Sequence, residues 1–226
     1  FSRRIDFGTD DQSNSVICDP ARNIIVVGKI TGTDYYTIKY TPSGETLWTR
    51  KYDSGGDDVA RGVTCDPTDS SIIVAGMING FADWHVIKYS KDGDTLFDIT
   101  YDNFGWTYEF ADGIAIDSNE NIIIVGYGHS TTGQDDNFIV KKVNLAGTPI
   151  WTDSFDYWQD ERAHDVACDP NGNIFVVGEV DTGTYTLYVD WLIVKFTPGG
   201  AVDTAFTVNN GGSDVAYGVA IDKDTN

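Results

Sequence analysis

Few residues in this chain have the types and spacing that catalysis requires. His164 and Asp165 are adjacent, and a histidine beside a carboxylate can form half of a general-base arrangement. Glu109, Asp112 and Glu161 could supply the two carboxylates, about 5–9.5 Å apart, that a glycoside-cleaving enzyme needs. No recurring nucleophile accompanies His164, however, and a chain with 35 acidic residues inevitably contains some carboxylate pair. We therefore predict no enzyme, with a polysaccharide-active hydrolase or lyase as the alternative.

Short acidic turns recur along the chain and could bind a metal ion. Two of them read Asp117-Ser118-Asn119-Glu120-Asn121 and Asp169-Pro170-Asn171-Gly172-Asn173. Alternating oxygen ligands in a tight loop suit Ca²⁺, and its ligands would be Asp117, Asn119, Asp169 and Asn171. The distal bidentate glutamate of an EF-hand is missing, and metal-free Asx turns in hairpins produce the same sequence. The pattern favours hairpin turns, with Ca²⁺ as the alternative, and we expect no other cofactor.

These turns belong to a repeat that covers the whole chain. Residues 18–28 form a turn and an apolar run that closes on a glycine, and the motif returns at residues 65–76, 116–126 and 168–178. A partial copy begins at Ile221. A spacing of about 50 residues is typical of propellers, solenoids and other repeat arrays.

Each repeat contains four short β-rich segments. In the first repeat they are residues 13–18, 23–28, 35–40 and 46–52, separated by turn residues such as Pro42, Gly44 and Gly55. No segment has a helical period, and short β-rich runs bounded by Gly, Pro, Asn and Asp indicate antiparallel hairpins. The repeat therefore predicts an all-β fold, a β-propeller of four-stranded antiparallel blades.

The repeat boundaries also predict the domain organisation. We expect one β-propeller domain over residues 1–226, with full repeats at 10–56, 57–107, 108–159 and 160–212. Residues 1–9 would supply the last strand of a partial blade and residues 213–226 the first strand of a further blade. The segment is then expected to be part of a longer chain; the alternatives are a ring completed by another copy or a closing blade with fewer strands. Open blade edges would favour self-assembly.

The composition excludes several classes of partner. The net charge of −20 and the pI of about 4.1 argue against nucleic acid, which needs clustered basic residues, and against anionic membrane surfaces. No apolar run reaches the ~20 residues of a membrane-spanning helix, so we expect no membrane insertion. Cys18, Cys65 and Cys168 share a repeat position with Ile116. This position should be buried and apolar, with three free thiols and no disulfide.

The repeat motifs resemble a known family. Residues 58–66, 171–178 and 83–89 are similar to the consensus of the SBBP and delta-60 type β-propeller repeats, and the resemblance extends over essentially the whole chain. Such repeats are common in secreted and cell-surface proteins of bacteria and archaea. The resemblance implies an extracellular or cell-surface scaffold or binding module, and it implies no catalytic residues.

Three polar positions recur in every repeat, and we expect them to tie neighbouring strands together by hydrogen bonds. One position precedes the first strand of the repeat. The other two lie at the start of the third strand and five residues later. They are, in order, Asp11, Asp58, Glu109, Glu161 and Asp214; Asp34, Asp83, Asp136 and Asp190; and Lys39, Lys88, Lys141 and Lys195.

Function is expected where the repeats differ, because loops and variable positions on a rigid scaffold usually carry binding. One position changes in every repeat and should line the mouth of the central channel: Asn14, Arg61, Asp112, His164 and Tyr217. Aromatic residues in nearby loops should surround it, namely Tyr185, Tyr188 and Trp158, with Trp84, Trp106 and Tyr108. Aromatic, amide and carboxylate groups together suit a glycan or protein partner. The sequence therefore predicts a non-enzymatic extracellular β-propeller scaffold that binds a glycan or protein or mediates assembly. A calcium-stabilised structural repeat protein is a further alternative.

Overall fold

The computed structural model describes residues 8, 10–31, 34–80, 83–129, 135–157, 159–183 and 188–222. These residues form sixteen strands in four antiparallel sheets, and each sheet has four strands in chain order. We call the sheets blades 1 to 4. Within the described part of the chain, no helix has the length and apolar character that crossing a membrane requires.

Each blade consists of four strands that follow one another in the chain. Blade 1 contains β1 Gln12–Cys18, β2 Ile24–Ile30, β3 Asp34–Tyr40 and β4 Thr46–Tyr52. Blade 2 contains β5 Val59–Cys65, β6 Ile72–Ile78, β7 Asp83–Tyr89 and β8 Thr95–Tyr101. Blade 3 contains β9 Tyr108–Ile116, β10 Ile122–His129, β11 Asp136–Val143 and β12 Pro149–Phe155. Blade 4 contains β13 Glu161–Cys168, β14 Ile174–Asp181, β15 Val189–Phe196 and β16 Val202–Val208. The four-stranded repeats predicted from the sequence are confirmed.

The chain divides into two compact units. Unit 1 comprises Phe1–Asn103 and Tyr108–Ala111, and unit 2 comprises Phe104–Thr107 and Asp112–Asn226. Each unit has its own apolar core. In unit 1 the core includes Ile25, Tyr35 and Ile72, and in unit 2 it includes Phe138, Val176 and Phe196. The second and third strands supply most of these residues, because they lie in the middle of their sheets.

The two predicted terminal strands stay predictions. Residues 1–5 lie outside the described residues. Residues 213–222 form no strand, since they have no ladder partner in the described part of the chain. They still follow blade 4: the Ala216 N–H donates to the carbonyl of Gly178 (3.4 Å), and the Val219 N–H donates to the Asp165 carboxylate (2.9 Å).

The closing glycine lies opposite a β-bulge in blades 1, 2 and 4. The pairing of the first two strands shifts between Ser13 and Ser15, between Ala60 and Gly62, and between Ala163 and Asp165. A Cβ at Gly28, Gly76 or Gly178 would lie 1.9–2.0 Å from a carbonyl oxygen of the facing strand. Only glycine allows this close approach of two backbones.

Buried lysines join the blades within each unit. In unit 1, Lys39 Nζ lies 2.9 Å from Asp19 Oδ2 and donates to the Lys91 carbonyl of blade 2 at 3.0 Å. In unit 2, Lys142 Nζ lies 2.7 Å from Asp117 Oδ2 and donates to the Pro198 carbonyl of blade 4 at 3.1 Å. The lysine position therefore has the structural role that we predicted.

One member of that lysine position was assigned incorrectly from the sequence. Lys142 pairs with Ile123 in the same register as Lys39 with Ile25, whereas Lys141 donates to the Thr152 hydroxyl. The reason lies in the pairing of the third strand with the second. Asp136 pairs with His129, three residues after the closing glycine Gly126, whereas Asp34 pairs with Ile30, only two residues after Gly28. Counting five residues from Asp136 consequently ends on the neighbour of the buried lysine.

The acidic side chain that recurs before the first strand of each blade accepts hydrogen bonds from the segment that connects two blades. Asp58 is fully buried, and its carboxylate accepts the Ser54 N–H (2.6 Å), the Ser54 hydroxyl (2.5 Å) and the Asn79 N–H (3.1 Å). Glu109 is likewise buried and accepts the amide of Asn103 at 2.6 Å. These carboxylates replace water as partners of the linking backbone.

The cysteine position is less buried than its Cys/Ile alternation predicts. All three thiols are free, but Cys18 is exposed, and Cys65 and Cys168 are half-buried. The predicted burial of Cys18 was therefore wrong. Other first-strand positions of blade 1 are also open, as Val16 shows with 62% exposure. Burial raises the pKa of Cys65 to about 11 and of Cys168 to about 12, so neither thiol is a nucleophile near neutral pH.

Candidate functional site

The variable position of the repeat is the extra residue of the β-bulge. Asn14, Arg61 and His164 are each skipped in the pairing of their strands, and a bulge redirects the side chain that it carries. In unit 1, Asn14 Nδ2 donates to the Ala60 carbonyl at 2.8 Å. The Arg61 guanidinium lies 5.3 Å from the ring centre of Phe110. Both predicted site residues of unit 1 therefore make contacts within the scaffold.

In unit 2, the predicted residues Asp112, His164 and Tyr217 come together. His164 Nδ1 lies 3.6 Å from Asp112 Oδ2, its Nε2 lies 3.8 Å from Glu179 Oε2, and its ring centre is 5.2 Å from that of Tyr217. Arg162 NH1 lies 3.4 Å from Glu179 Oε1. We call Asp112, Arg162, His164, Glu179 and Tyr217 the His164 cluster.

Sequence reasoning missed Glu179, although a signal for it was present. The residue after the closing glycine also changes from repeat to repeat, as Lys29, Met77, Tyr127 and Glu179. Pairing of β14 with β13 places this residue beside the bulge. A search for variable positions across two neighbouring strands would have found it.

The charge of His164 is set by its two carboxylate neighbours. Burial alone would lower its pKa, but Asp112 and Glu179 outweigh burial and raise the pKa of His164 to about 9. His164 and Arg162 together lower the pKa of Glu179. A pKa of about 9 favours the imidazolium form of His164 at neutral pH, between two carboxylates, and this form is not a general base.

The adjacent Asp165 does not assist His164. One oxygen of Asp165 accepts the N–H of Val219 at 2.9 Å, and burial raises the pKa of this carboxyl. The bulge thus separates the two neighbours, so that His164 is paired with Asp112 and Glu179 instead. The geometry does not support the His164–Asp165 general-base arrangement suggested by the sequence.

A second layer of charges supports the His164 cluster. The Asp136 carboxylate accepts Arg162 Nε and NH2, both at 2.8 Å, and lies 3.0 Å from His129 Nδ1. The Arg162 guanidinium also lies 5.4 Å from the ring centre of Tyr127. Since the Asp136 N–H donates to Asp160 Oδ1 at 2.9 Å, the carboxylate and its backbone are both held in place. The cluster is therefore pre-organised before any ligand binds.

The aromatic residues predicted around this site differ in their placement. Tyr217 is 75% exposed and Tyr188 is 55% exposed. Tyr185 and Trp158 lie outside the described residues. Trp84 is fully buried, so its predicted place at the rim was wrong. It lies on the third strand of blade 2, where it pairs with Met77 of β6.

The acidic turns are hairpins held by their own hydrogen bonds. Asp117 Oδ1 accepts the N–H groups of Asn119 (2.9 Å) and Asn121 (2.8 Å), while Lys142 contacts Oδ2. Asp169 Oδ1 accepts the N–H groups of Asn171 and Asn173, both at 2.9 Å. No group of three or more metal-ligating side chains occurs in the described part of the chain. The Asp oxygens of both turns thus accept hydrogen bonds within their own hairpins, and Asp117 also pairs with the ammonium group of Lys142.

Calcium binding stays a prediction, and it has a direct test. From the turn geometry, we expect the melting temperature to be the same in millimolar CaCl₂ and in excess EDTA, as measured by calorimetry. MgCl₂ at the same ionic strength is the control for screening of the acidic surface. A rise that is specific to CaCl₂ would show that Asp117 and Asp169 rearrange to hold the ion.

Comparison with protein families and with curated proteins gives no match. Among solved structures, the chain is similar to the gluconolactonase XC5397 of Xanthomonas campestris, with a TM-score of 0.54, 10% identity, and coverage of 88% of this chain and 63% of that chain. It is also similar to hydrazine synthase of Kuenenia stuttgartiensis, with a TM-score of 0.59, 12% identity, and coverage of 98% and 75%. The chain thus spans less than two thirds of the gluconolactonase. These proteins are β-propellers, and the likeness confirms the β-propeller fold.

Proposed function

We propose that this chain is a non-enzymatic β-propeller scaffold and binding module that contacts a basic protein partner through the His164 cluster. The observation that carries the proposal is the assembly of Asp112, His164 and Tyr217, all from the variable position, on one pre-organised surface. From the family resemblance we also propose that the protein is extracellular or located at the cell surface.

The charge of the surface indicates the partner. Four carboxylates, those of Asp112, Asp136, Asp160 and Glu179, surround the two cations Arg162 and His164. The excess of negative charge attracts Lys and Arg side chains. The exposed ring of Tyr217 offers a flat face against which an aliphatic stem or a guanidinium can pack.

The alternative of a polysaccharide-active enzyme has less support. Glu109 is buried and holds the backbone around Asn103, and Glu161 is fully buried. The pKa of His164 is raised to about 9. Glu109 and Glu161 are thus both buried, whereas Tyr188 and Tyr217 are exposed to a partner.

The binding proposal can be tested with a synthetic peptide that alternates lysine and glycine, titrated into the isotope-labelled chain. We expect amide shifts to concentrate at Asp112, His164 and Tyr217. Tyr217→Ser should weaken binding about tenfold, since exposed aromatics often dominate an interface. Tyr157→Ser, on an exposed tyrosine that follows β12, is the matched control. Shifts spread over the whole acidic surface, or equal affinity of the two variants, would contradict the proposal.

A second candidate function is self-assembly, and the face of blade 4 that carries Trp191 and Phe206 favours it. Trp191 pairs with the residue that follows the closing glycine, as Tyr35, Trp84 and Phe138 do in the other blades. Those three aromatics are fully buried, but Trp191 is 38% exposed. Phe206, two residues from the end of β16, is 48% exposed.

We therefore expect two copies of the chain to associate through this apolar face. Light scattering should show a mass that rises with concentration, and Trp191→Glu should yield a monomer with an unchanged melting temperature. A wild-type chain that is monomeric at all concentrations would contradict self-assembly and leave the binding proposal untouched.

A further inference from the structure

A cleft of about 380 Å³ lies in unit 1, at the end of the strands opposite the bulges. The turn between β1 and β2 and the turn between β7 and β8 form its two sides, with Asn23 on the first and Lys91 and Asp92 on the second. Leu47 and Trp48 of β4 line it between them. Its volume is in the range of small-molecule sites, about 300–1,000 Å³.

The walls of this cleft are rigid. Asp19 and Lys39, whose side chains are each 2% exposed, form an ion pair of 2.9 Å. Lys39 Nζ and Trp48 Nε1 both donate to the Lys91 carbonyl, at 3.0 and 3.1 Å. The turn that carries Lys91 is therefore fixed against blade 1, and the cleft needs no rearrangement to accept a ligand.

The charges that line the cleft cancel. Asp19 is compensated by Lys39, and Lys91 Nζ lies 3.0 Å from Asp92 Oδ2. In a chain with a net charge of −20, a neutral cleft is a local exception. It favours neither a free cation nor a phosphate, and it presents both donors and acceptors to a neutral polar ligand.

One side of the cleft is apolar. Leu47 is 50% exposed, and it stands next to the buried indole of Trp48. A ligand that fits must therefore combine an apolar face with several hydroxyl groups. Sugar rings have this character, since their C–H groups cluster on one face and their hydroxyls project around the edge.

We propose that this cleft binds a neutral sugar residue of a glycan. The C–H face of the sugar packs on Leu47, and its hydroxyls contact the side chains of Asn23, Lys91 and Asp92. The site is separate from the His164 cluster and does not depend on the function proposed for that cluster.

The equivalent place in unit 2 lacks the side chains of Lys91 and Asp92, although Asn121 stands where unit 1 has Asn23. Pro198 takes the place of Lys91, because its carbonyl accepts the buried Lys142 as the Lys91 carbonyl accepts Lys39. Gly199 follows where blade 2 has Asp92, and the Pro198 ring lies near Gly172. The register also matches Ile150 with Leu47, since both precede the tryptophan that pairs with the lysine. Unit 2 therefore provides an internal control.

The experiment is an NMR titration of the labelled chain with the methyl glycosides of glucose, galactose and mannose, and with N-acetylglucosamine. We expect at least one of them to shift the Trp48 indole N–H and the amides of Lys91 and Asp92, with a dissociation constant of about 1 mM. Inorganic phosphate and glucuronate are the charged comparators, and they should bind more weakly.

Variants on exposed side chains keep the test independent of folding. Leu47→Ala should weaken binding about fivefold through lost apolar contact, and Asp92→Ala should weaken it further. Ile150→Ala, at the matched position with 51% exposure, should bind as the wild type does. No shift at Trp48 with any sugar, tighter binding of phosphate, or equal loss in the Leu47 and Ile150 variants would overturn the proposal.

Discussion

Replacement of Gly76 by alanine will lower the free energy of unfolding by about 3 kcal/mol. A Cβ at this position would lie 2.0 Å from the Val59 carbonyl oxygen and 2.8 Å from Tyr35 Cε2. Both neighbours belong to the packed interior of unit 1, and β5 cannot retreat without breaking its bulge and its pairing with β6. The measurement is equilibrium unfolding in urea, read as the change in midpoint at constant slope.

Gly199→Ala is the matched control for this substitution. A Cβ at Gly199 meets only Thr197 Oγ1, at 3.9 Å. We expect a change within about 0.5 kcal/mol, as at most surface positions. Equal stability of the two variants would show that β5 and β6 are not held as closely as the bulge requires.

Replacement of Lys142 by methionine will cost about 3–5 kcal/mol of stability, because it leaves the Asp117 carboxylate buried without its cation. The Asp117 side chain has no exposure, and that of Lys142 is 6% exposed. The same substitution at Lys195, which pairs at 2.6 Å with Asp203 and is 32% exposed, should cost less than about 1 kcal/mol. The two variants occupy one position of the repeat and differ mainly in burial.

The cost at Lys142 should depend on pH. Burial raises the pKa of Asp117, but Lys142 and the Asn121 and Asn119 donors outweigh it, so the pKa is lower in the folded chain than in the unfolded chain. The stabilisation is therefore present above the unfolded pKa of about 4 and lost as the pH falls through the folded value. The difference between wild type and Lys142→Met should shrink in acid. A difference that is constant from neutral to acidic pH would contradict the buried ion pair.

The strand pattern was predictable because it is local. Turn residues at Pro42, Gly44 and Gly55 and the closing glycines mark the hairpins, and a repeat in the sequence must be a repeat in the structure. The predicted strands of blade 1 consequently differ from the observed ones by at most two residues at either end.

The errors have a different origin, since they concern relations between strands. Lys141 was chosen by counting along one strand, whereas the buried position is set by pairing with Ile123. Trp84 was placed at the rim together with other aromatic residues, but it is fully buried. Glu179 reaches His164 only because β14 pairs with β13. A sequence does not display such cross-strand neighbours until its register is known.

An NMR titration of the imidazole protons of His85, His129 and His164 against pH tests most directly whether His164 is a fixed cation in the binding surface. The His164 signal should remain that of an imidazolium through neutral pH and titrate at about 9. The stabilisation from its raised pKa is then fully present below the unfolded pKa of about 6.5, and it is lost as the pH rises through 9. Glu179→Gln should lower the pKa of His164 by removing one carboxylate. Titration of His164 near 6.5 in the wild type would contradict the claim, since it would leave a neutral imidazole available as a base.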